Sequence, residues 1–442
     1  MSDWNWKSAF KENLISAEDA AKFVKSGDSI AFTGGREAFA IGLAIAARVG
    51  DLKDVKIFLP SPTYDFGWYG EGWEESFKIT IGMPTATCQE AIDAQRCDIN
   101  TFTLVPMEVS AKEPDILITE ISVPDKQGFC SFGNSLWDKK REIRKARMVI
   151  AEVNNNLIRT YGDNFIHVSE IDYLVEHISS GAMPGSGSLA GRALKEPEPY
   201  LKDIAGYVGE LILDRATIQI GVGRTTEPLV RLGMLDGKKD IGYHSEATPN
   251  GIISLIREGV INGKYKNINT DRATVTSLGG GTKEEMEWAR ENPTFQLVDV
   301  AYLENLRIIG DHDNMTSINN ALMVDLTGQI AAETIGTRIM SLAGGQIPFV
   351  FGSWLSNNGR SITVIRSTAK NNQISRIVPL FPQGTIVTIQ RNLADYVVSE
   401  YGIAHLRGKS IRERVGEMIS IAHPDHRDYL WEEAKKLYWP KK

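Results

Sequence analysis

Apolar residues fall in short runs along the first part of the chain. The clearest are SIAF at Ser29 to Phe32, VKIFL at Val55 to Leu59, ILITEI at Ile116 to Ile121 and MVIAEV at Met148 to Val153. These runs are too short for helices and rich in β-branched residues, so they predict strands; a further one is expected around Leu104. Between them the apolar positions change to a helical period. Ser16 to Lys25 (SAEDAAKFVK) predicts a helix capped by Ser16, with Asp19 three residues on and Gly27 to close it. Ala38 to Arg48 predicts a second helix of small residues. Strand runs alternating with helical segments indicate a parallel sheet covered on both faces.

The same rhythm returns in the second half. Strands are predicted at Ala216 to Ile220, Thr274 to Leu278, Phe295 to Asp299, Ile330 to Ala332, Ser361 to Ile365, Ile377 to Val378 and Ile386 to Ile389, and a helix at Tyr200 to Leu213. Between the halves, SSGAMPGSGSLAGRALKEPEP at Ser179 to Pro199 is rich in Gly, Ser and Pro and predicts an interdomain crossing. The expectation is two similar α/β domains, residues 1–185 and 186–442. Each would be a mostly parallel sheet flanked by helices, with a site in the crevice between them.

Composition narrows the class. A chain of 442 residues exceeds what one core usually holds. The hydrophobic share of 42% and charged share of 24% are those of an ordinary globular protein. A net charge of −7 argues against a general nucleic-acid or membrane-surface binder. Cys88, Cys97 and Cys130 have no metal spacing and cannot all pair, which fits a cytoplasmic setting. The N-terminus lacks the blocks of a signal peptide, and no apolar run reaches the ~18 residues a membrane helix needs. His423 and His426 in HPDH have ligand spacing but no matched third residue, so no metal or redox cofactor is expected.

The chemistry concentrates in ATIQIGVGRTTEPLVRLGMLDGKKDIGYHSEATPNG, Ala216 to Gly251. A strand leads into a tight turn at Gly221 and Gly223, whose bare backbone N–H groups suit an anion. A short helix follows, then a second strand ending on His244, Ser245 and Glu246, just before a Thr-Pro-Asn-Gly turn. An acid delivered on a strand end sits where α/β folds place their chemistry. The bland alternative is a surface acid paired with Lys238 or Arg224. A second signal lies between Thr334 and Ala394, which contain no Asp or Glu but carry Arg338, Arg360, Arg366, Lys370, Arg376 and Arg391 among glycine loops. Cations beside such loops favour a polyanionic small molecule; a solvated face balanced by distant acids is the alternative.

Taken in order, several blocks carry a resemblance. They are DKQGFCSFGNS at Asp125 to Ser135, VIAEV at Val149 to Val153, RTYGDNFIHVSEID at Arg159 to Asp172, Gln219 to Gly223, His244 to Glu246, INNALMVDLTGQ at Ile318 to Gln329, Gly344 to Gln346, Ser367 to Lys370 and VVSEYGIAHLRGKS at Val397 to Ser410. Over nearly its whole length the chain resembles the acetyl-CoA hydrolase/transferase family of class I CoA-transferases. The similar branch contains 4-hydroxybutyrate CoA-transferase and butyryl-CoA:acetate CoA-transferase. The resemblance implies an acyl-CoA:carboxylate CoA-transferase, usually a homodimer or higher homo-oligomer, that takes coenzyme A as its acyl thioester. It implies Glu246 as the nucleophile, passing through a glutamyl-CoA thioester. It implies coenzyme A contacts at Gly221, Val222, Gly223, Arg224, Thr225, Asn320, Gly344, Gly345 and Lys370, with amides near Gly221–Gly223 and Gly344–Gly345 facing the oxyanions. His244 is expected as a packing neighbour of Glu246 rather than a base, and Gln219 as a strand cap.

Departures from the family pattern bear on the acid carried. Arg224-Thr225-Thr226-Glu227 replaces a small apolar pair, Ala247 to Asn250 replaces a Met-led run, Phe351 replaces an Arg, Trp354 enters a small-residue loop and Arg366 replaces a Pro. Arg224 and Arg366 suggest a polar acid, Phe351 and Trp354 an aromatic one. The alternatives are an acyl-CoA hydrolase using the same glutamate, a coenzyme A-binding protein without activity and a nicotinamide-dependent oxidoreductase. The last is suggested by GVGRTTEP but opposed by Thr226, which stands where that fingerprint needs a third glycine.

Overall fold

Strand-forming runs and helical segments assemble as their order along the chain predicts. A computed structural model describes residues 6–101, 113–180 and 196–440. The strand expected around Leu104 and most of the crossing expected over residues 179–199 lie outside the described residues. The chain groups into two units: Met1–Arg192 with Thr276–Tyr302, and Ala193–Val275 with Leu303–Lys442.

In the first unit the described residues form an eight-stranded sheet. Its order is Leu14–Ile15, Tyr173–Glu176, Met148–Val153, Ile116–Ile121, Ser29–Phe32, Val55–Leu59, Phe77–Ile81, Asp98–Ile99, parallel throughout. Every residue of Ile116–Ile121 is buried, as a central parallel strand covered on both faces requires. Burying each such Ile or Leu stabilises the unit by roughly 2 kcal/mol. Ser16 caps its helix as expected, accepting the Asp19 N–H at 3.0 Å, but the helix spans only Ala17–Ala21. The Arg48 guanidinium takes the Ala21 and Val24 carbonyls, which a longer helix would have used itself.

Thr276–Tyr302 joins this unit through backbone pairing. Leu136 N–H donates to Thr276 O at 2.9 Å, Leu278 N–H to Asn134 O at 2.7 Å and Asp163 N–H to Leu297 O at 2.8 Å. Gly162 makes the last approach feasible, because a Cβ there would stand 2.0 Å from the Leu297 carbonyl oxygen.

A closed polar network lies inside the unit. Arg36 donates to Glu120 at 2.6 Å, as does Asn154 at 2.8 Å. Glu152 bonds His177 at 2.5 Å and accepts the Ala40 N–H at 2.8 Å, supplying the acid for a helix (Phe39–Ala46) whose own N-cap, Ala38, has no capping side chain. Glu120, Glu152 and His177 are near enough to share a metal ion. Their oxygens already face Arg36, Asn154 and the helix amides, which accounts for the cluster as an ion-paired core.

The second unit carries the stretch from Ala216 to Gly251. We label its strands β1 (Thr217–Ile220), β2 (Gly242–Ala247), β3 (Ala273–Ser277, whose last two residues are grouped with the first unit), β4 (Thr316–Asn320), β5 (Arg360–Val364), β6 (Tyr396–Ser399) and β7 (Gly402–His405). They run β3-β2-β1-β4-β5-β6-β7. β2, β1, β4, β5 and β6 are parallel, and β7 closes the edge antiparallel. From β1 the chain winds outward through β2 and β3, then returns to the other side of β1 as β4 and winds out through β5. The order therefore reverses between β1 and β4, the switch point where open parallel sheets bind ligands at their carboxyl ends. Ile386 to Ile389, expected as a strand, forms none: only Ile389 pairs, in an isolated bridge to Ile330, after a turn at Pro382 and Gly384.

Candidate active site

Glu246 stands near the C-terminal end of β2, which is braced from both sides. The Tyr243 hydroxyl donates to Ala247 O at 2.9 Å. Ser245 Oγ accepts the Ile220 N–H at 3.2 Å, tying β2 to β1. Lys238, one alternative partner for Glu246, instead donates to Ile212 O at 2.7 Å. Glu246 keeps part of its surface accessible, while its neighbours in β2 are buried.

The carboxyl lies against Gly345. A Cβ on that residue would fall 2.2 Å from Glu246 Oε2 and 2.4 Å from its Cδ, so no side chain fits while Glu246 points this way. The Gly345 backbone interacts with the carboxyl and favours its charged form. Gly345 is also the N-cap of a ten-residue helix, α1 (Gln346–Leu355), whose N-terminal partial charge favours an anion. Gly344, immediately before it, has φ +52°, a left-handed turn that glycine tolerates without strain.

Glu304 is the residue the sequence reading missed. It is fully buried, follows Leu303, and its carboxyl interacts with that of Glu246. Neither of its oxygens meets a hydrogen-bond donor among the described residues. Two carboxyls bond only if one holds a proton. Burial, then the charge of Glu246, pushes the Glu304 carboxyl well above the usual range. Burial raises Glu246 too, but the hydrogen bond from Glu304 and the Gly345 N–H oppose the rise. Of the two, the fully buried acid that meets no donor holds the proton, and Glu246, partly accessible and against Gly345, is the carboxylate.

His244, two residues before Glu246 on β2, is 2.7 Å through Nε2 from Leu303 O, so it anchors the backbone beside Glu304. Burial, then His312 and Lys266, holds its pKa well below the ordinary value. It is a neutral ring, packed on His312 at 5.0 Å and on Phe349 of α1 at 6.1 Å, as expected of a packing neighbour rather than a base. A short helix, α2 (Leu306–Gly310), begins just after Glu304 and Asn305. It packs closely on α1, since a Cβ on Gly352 would stand 2.2 Å from Ile309 Cγ2. Gly345, Glu246 and Glu304 are thus held together by two glycine-packed helices and one strand end.

The glycine turn leaves β1 at the switch point. Gly221 N–H donates to Ile318 O at 2.7 Å, and a Cβ on Gly221 would reach 2.5 Å from Asn319 Oδ1. Gln219 does more than end its strand: its amide pairs reciprocally with that of buried Asn319, both contacts at 3.1 Å. The Asn320 side chain faces Gly223, 3.3 Å from where a Cβ would be. Val222 and Arg224 are exposed and Thr225 is buried. The structure thus joins Gly221, Gly223 and Asn320 in one group, and Gly345 with Glu246 in another. Lys370 stands in an exposed turn of three left-handed residues, Lys370 to Asn372. Among the described residues it shares no hydrogen bond or ion pair with the Glu246 group.

The residues proposed to shape the acyl pocket are engaged elsewhere. Arg366 pairs with Glu198 at 2.9 Å and lies over the Tyr200 ring at 4.6 Å. Trp354 donates to Leu393 O at 2.7 Å, with the Arg407 guanidinium 3.7 Å above it. Phe351 is 41% exposed. Arg360, another residue of the acid-free stretch, donates to Leu211 O at 2.8 Å. Arg366 is thus balanced by an acid, as that alternative expected, whereas Arg360 is spent on a backbone carbonyl. His423 and His426 are likewise committed, one capping a helix and the other 2.8 Å from Asn372 O.

Comparison with known proteins supplies the family. The C-terminal domain of the acetyl-CoA hydrolase/transferase family matches residues 281–434, and its N-terminal domain residues 97–180. The chain is 36% identical to 4-hydroxybutyrate coenzyme A transferase of Clostridium kluyveri, across 98% of this chain and 100% of that protein. It is 32% identical to butyryl-CoA:acetate CoA-transferase of Anaerostipes caccae, across 98% of each. The crystal structure of RipA from Yersinia pestis superposes with a TM-score of 0.85 at 29% identity, covering 99% of this chain and 100% of RipA. With curated CoA-transferases matching from end to end, the chain belongs to the acetyl-CoA hydrolase/transferase family.

Proposed function

We propose that the protein is an acyl-CoA:carboxylate CoA-transferase of small carboxylic acids, with Glu246 as its covalent nucleophile. The observation that carries this is the Glu246 carboxylate, braced on a strand end, partly accessible and held against the Gly345 N–H at a helix N-terminus. Glu246 adds to the thioester carbon of acyl-CoA, and the coenzyme A thiolate leaves, giving a mixed anhydride. The thiolate then adds to Glu246 Cδ and expels the original acid as carboxylate, leaving a glutamyl-CoA thioester. An incoming carboxylate runs the two steps in reverse and departs as the new acyl-CoA. Every attacking and leaving group is an anion, so no step needs a base. That agrees with the neutral, packed His244. Each tetrahedral oxyanion needs a hydrogen-bond donor, and losing one commonly costs about 3–4 kcal/mol. The turn from Gly221 to Thr225 with Asn320 is the proposed cradle for coenzyme A, beside the glycines at 344 and 345; Lys370 is a further, peripheral contact.

The test is acceptor dependence. With acetyl-CoA as donor, acetate labelled with 13C, butyrate and 4-hydroxybutyrate are supplied in turn. A transferase gives acceptor-dependent exchange well above release of free coenzyme A, and Glu246→Ala abolishes it. Release unchanged by any acceptor would point instead to water as the acceptor and to a hydrolase.

A further inference from the structure

We propose that the Glu304 carboxylic acid, together with the Gly345 N–H, forms the donor pair that holds the Glu246 carboxyl and stabilises the oxyanion when its carbon is attacked. The inference rests on the reading of Glu246 as the nucleophile and goes beyond it, assigning the internal acid that polarises the enzyme's own acyl group.

The geometry carries it. Glu304 is fully buried, and its oxygens meet no hydrogen-bond donor among the described residues, which is costly for a polar side chain serving structure alone. The group it interacts with is the reacting carboxyl. The groups around it are accounted for. His244 donates to Leu303 O; His312, pushed down to about 3, is neutral. Lys266 directs its amine at Tyr243 O, Arg272 O and Thr274 Oγ1. None of them is bonded to Glu304, so no cation is paired with the acid, and its proton is left to the Glu246 carboxyl.

A neutral acid suits both stages of the reaction. In the resting enzyme its O–H donates to one Glu246 oxygen, keeping the nucleophile ionised and aimed. When the coenzyme A thiolate adds to Glu246 Cδ of the anhydride, the carbonyl oxygen becomes an oxyanion facing the Glu304 O–H and the Gly345 N–H. Collapse expels the acyl carboxylate and restores the carbonyl. Glu304 keeps its proton throughout, so charge and atoms balance without general acid–base transfer. A carboxylic acid in an apolar site held protonated at neutral pH is an effective oxyanion donor.

The test is the pH profile of exchange between acetyl-CoA and the best acceptor of the panel above. It compares the wild type with Glu304→Gln, whose amide still donates, and Glu304→Leu, which cannot. Glu304→Leu should lower kcat about 100-fold, with a smaller effect on KM. Glu304→Gln should retain kcat within roughly tenfold at neutral pH. The wild type should lose kcat at alkaline pH as Glu304 ionises, and Glu304→Gln should not. Lys266, pushed by burial down to about 7, titrates in all three proteins alike and cancels in the comparison. Wild-type kcat in Glu304→Leu, or the same alkaline loss in Glu304→Gln as in wild type, would overturn the proposal. If the leucine variant does not fold, the glutamine profile decides alone. Full exchange by Glu246→Ala would remove the nucleophile itself, and this inference with it, an outcome distinct from failure of Glu304 alone.

Discussion

At the scale of single residues, the site depends on an absent side chain. Gly345 has an ordinary φ of −77°, so it is glycine because the Glu246 carboxyl occupies the space of its Cβ. Gly345→Ala should therefore leave the fold intact and displace the carboxylate. Exchange should fall by at least about 100-fold, the scale of a lost oxyanion donor, with little change in circular dichroism or melting temperature. Near-normal activity would show that Glu246 does not work in this orientation. The place of Glu246 near a strand end was legible from the Thr-Pro-Asn-Gly turn that follows it, while its proposed role came from the family resemblance. Glu304 was not. Tyr-Leu-Glu-Asn reads like any polar loop, and its chemistry comes from burial beside an acid 58 positions earlier in the chain. Asn319 was missed for a related reason: the strand reading fixed its neighbourhood, but the amide pair with Gln219 depends on the register between β1 and β4.

At the scale of elements, the site is set by two helices whose contact tolerates no extra carbon. Gly352 in α1 meets Ile309 in α2, and a Cβ on Gly310 would stand 2.9 Å from Leu355 Cβ. α1 begins at Gly345 and α2 just after Glu304, so this contact also sets the distance between the two donors. Gly352→Val should force the helices apart at a cost of about 2 kcal/mol. That corresponds to a drop of about 4–8 °C in Tm. Exchange should fall further than the Tm change alone explains. An unchanged Tm and unchanged exchange would contradict this packing account. The strands at Val55–Leu59, Ile116–Ile121 and Met148–Val153 match their sequence predictions because a fully buried parallel strand is apolar at almost every position. The shortened helix after Ser16 and the missing strand at Ile386 to Ile389 depend on distant partners, Arg48 and Ile330, which local periodicity does not report.

At the scale of the whole molecule, two α/β units were legible from the alternating rhythm, but the membership of Thr276–Tyr302 was not. That segment keeps the same β/α pattern as its surroundings, and only its backbone pairing with Asn134, Leu136 and Tyr161 assigns it to the first unit. Buried ionisable groups also give the molecule a pH signature. Burial lowers Lys266 from 10.5 to about 7, so between those values the unfolded chain binds the extra proton and stability rises with pH. Burial raises Glu37 from 4.5 to about 7, so there the folded chain binds the extra proton and stability falls as pH rises. Thermal unfolding against pH should show Lys266→Met flattening the upper window and Glu37→Gln the lower one. Parallel curves for variants and wild type would contradict the burial assignments. The proposed activity comes down to one covalent bond. The direct measurement is to incubate the protein with acetyl-CoA alone, reduce with borohydride, digest it and weigh the peptide containing Glu246. A glutamyl-CoA thioester predicts a Glu246 side chain reduced to the alcohol, with the matching loss of mass, absent without acetyl-CoA. An unmodified Glu246 peptide in a preparation that still catalyses exchange would contradict the account.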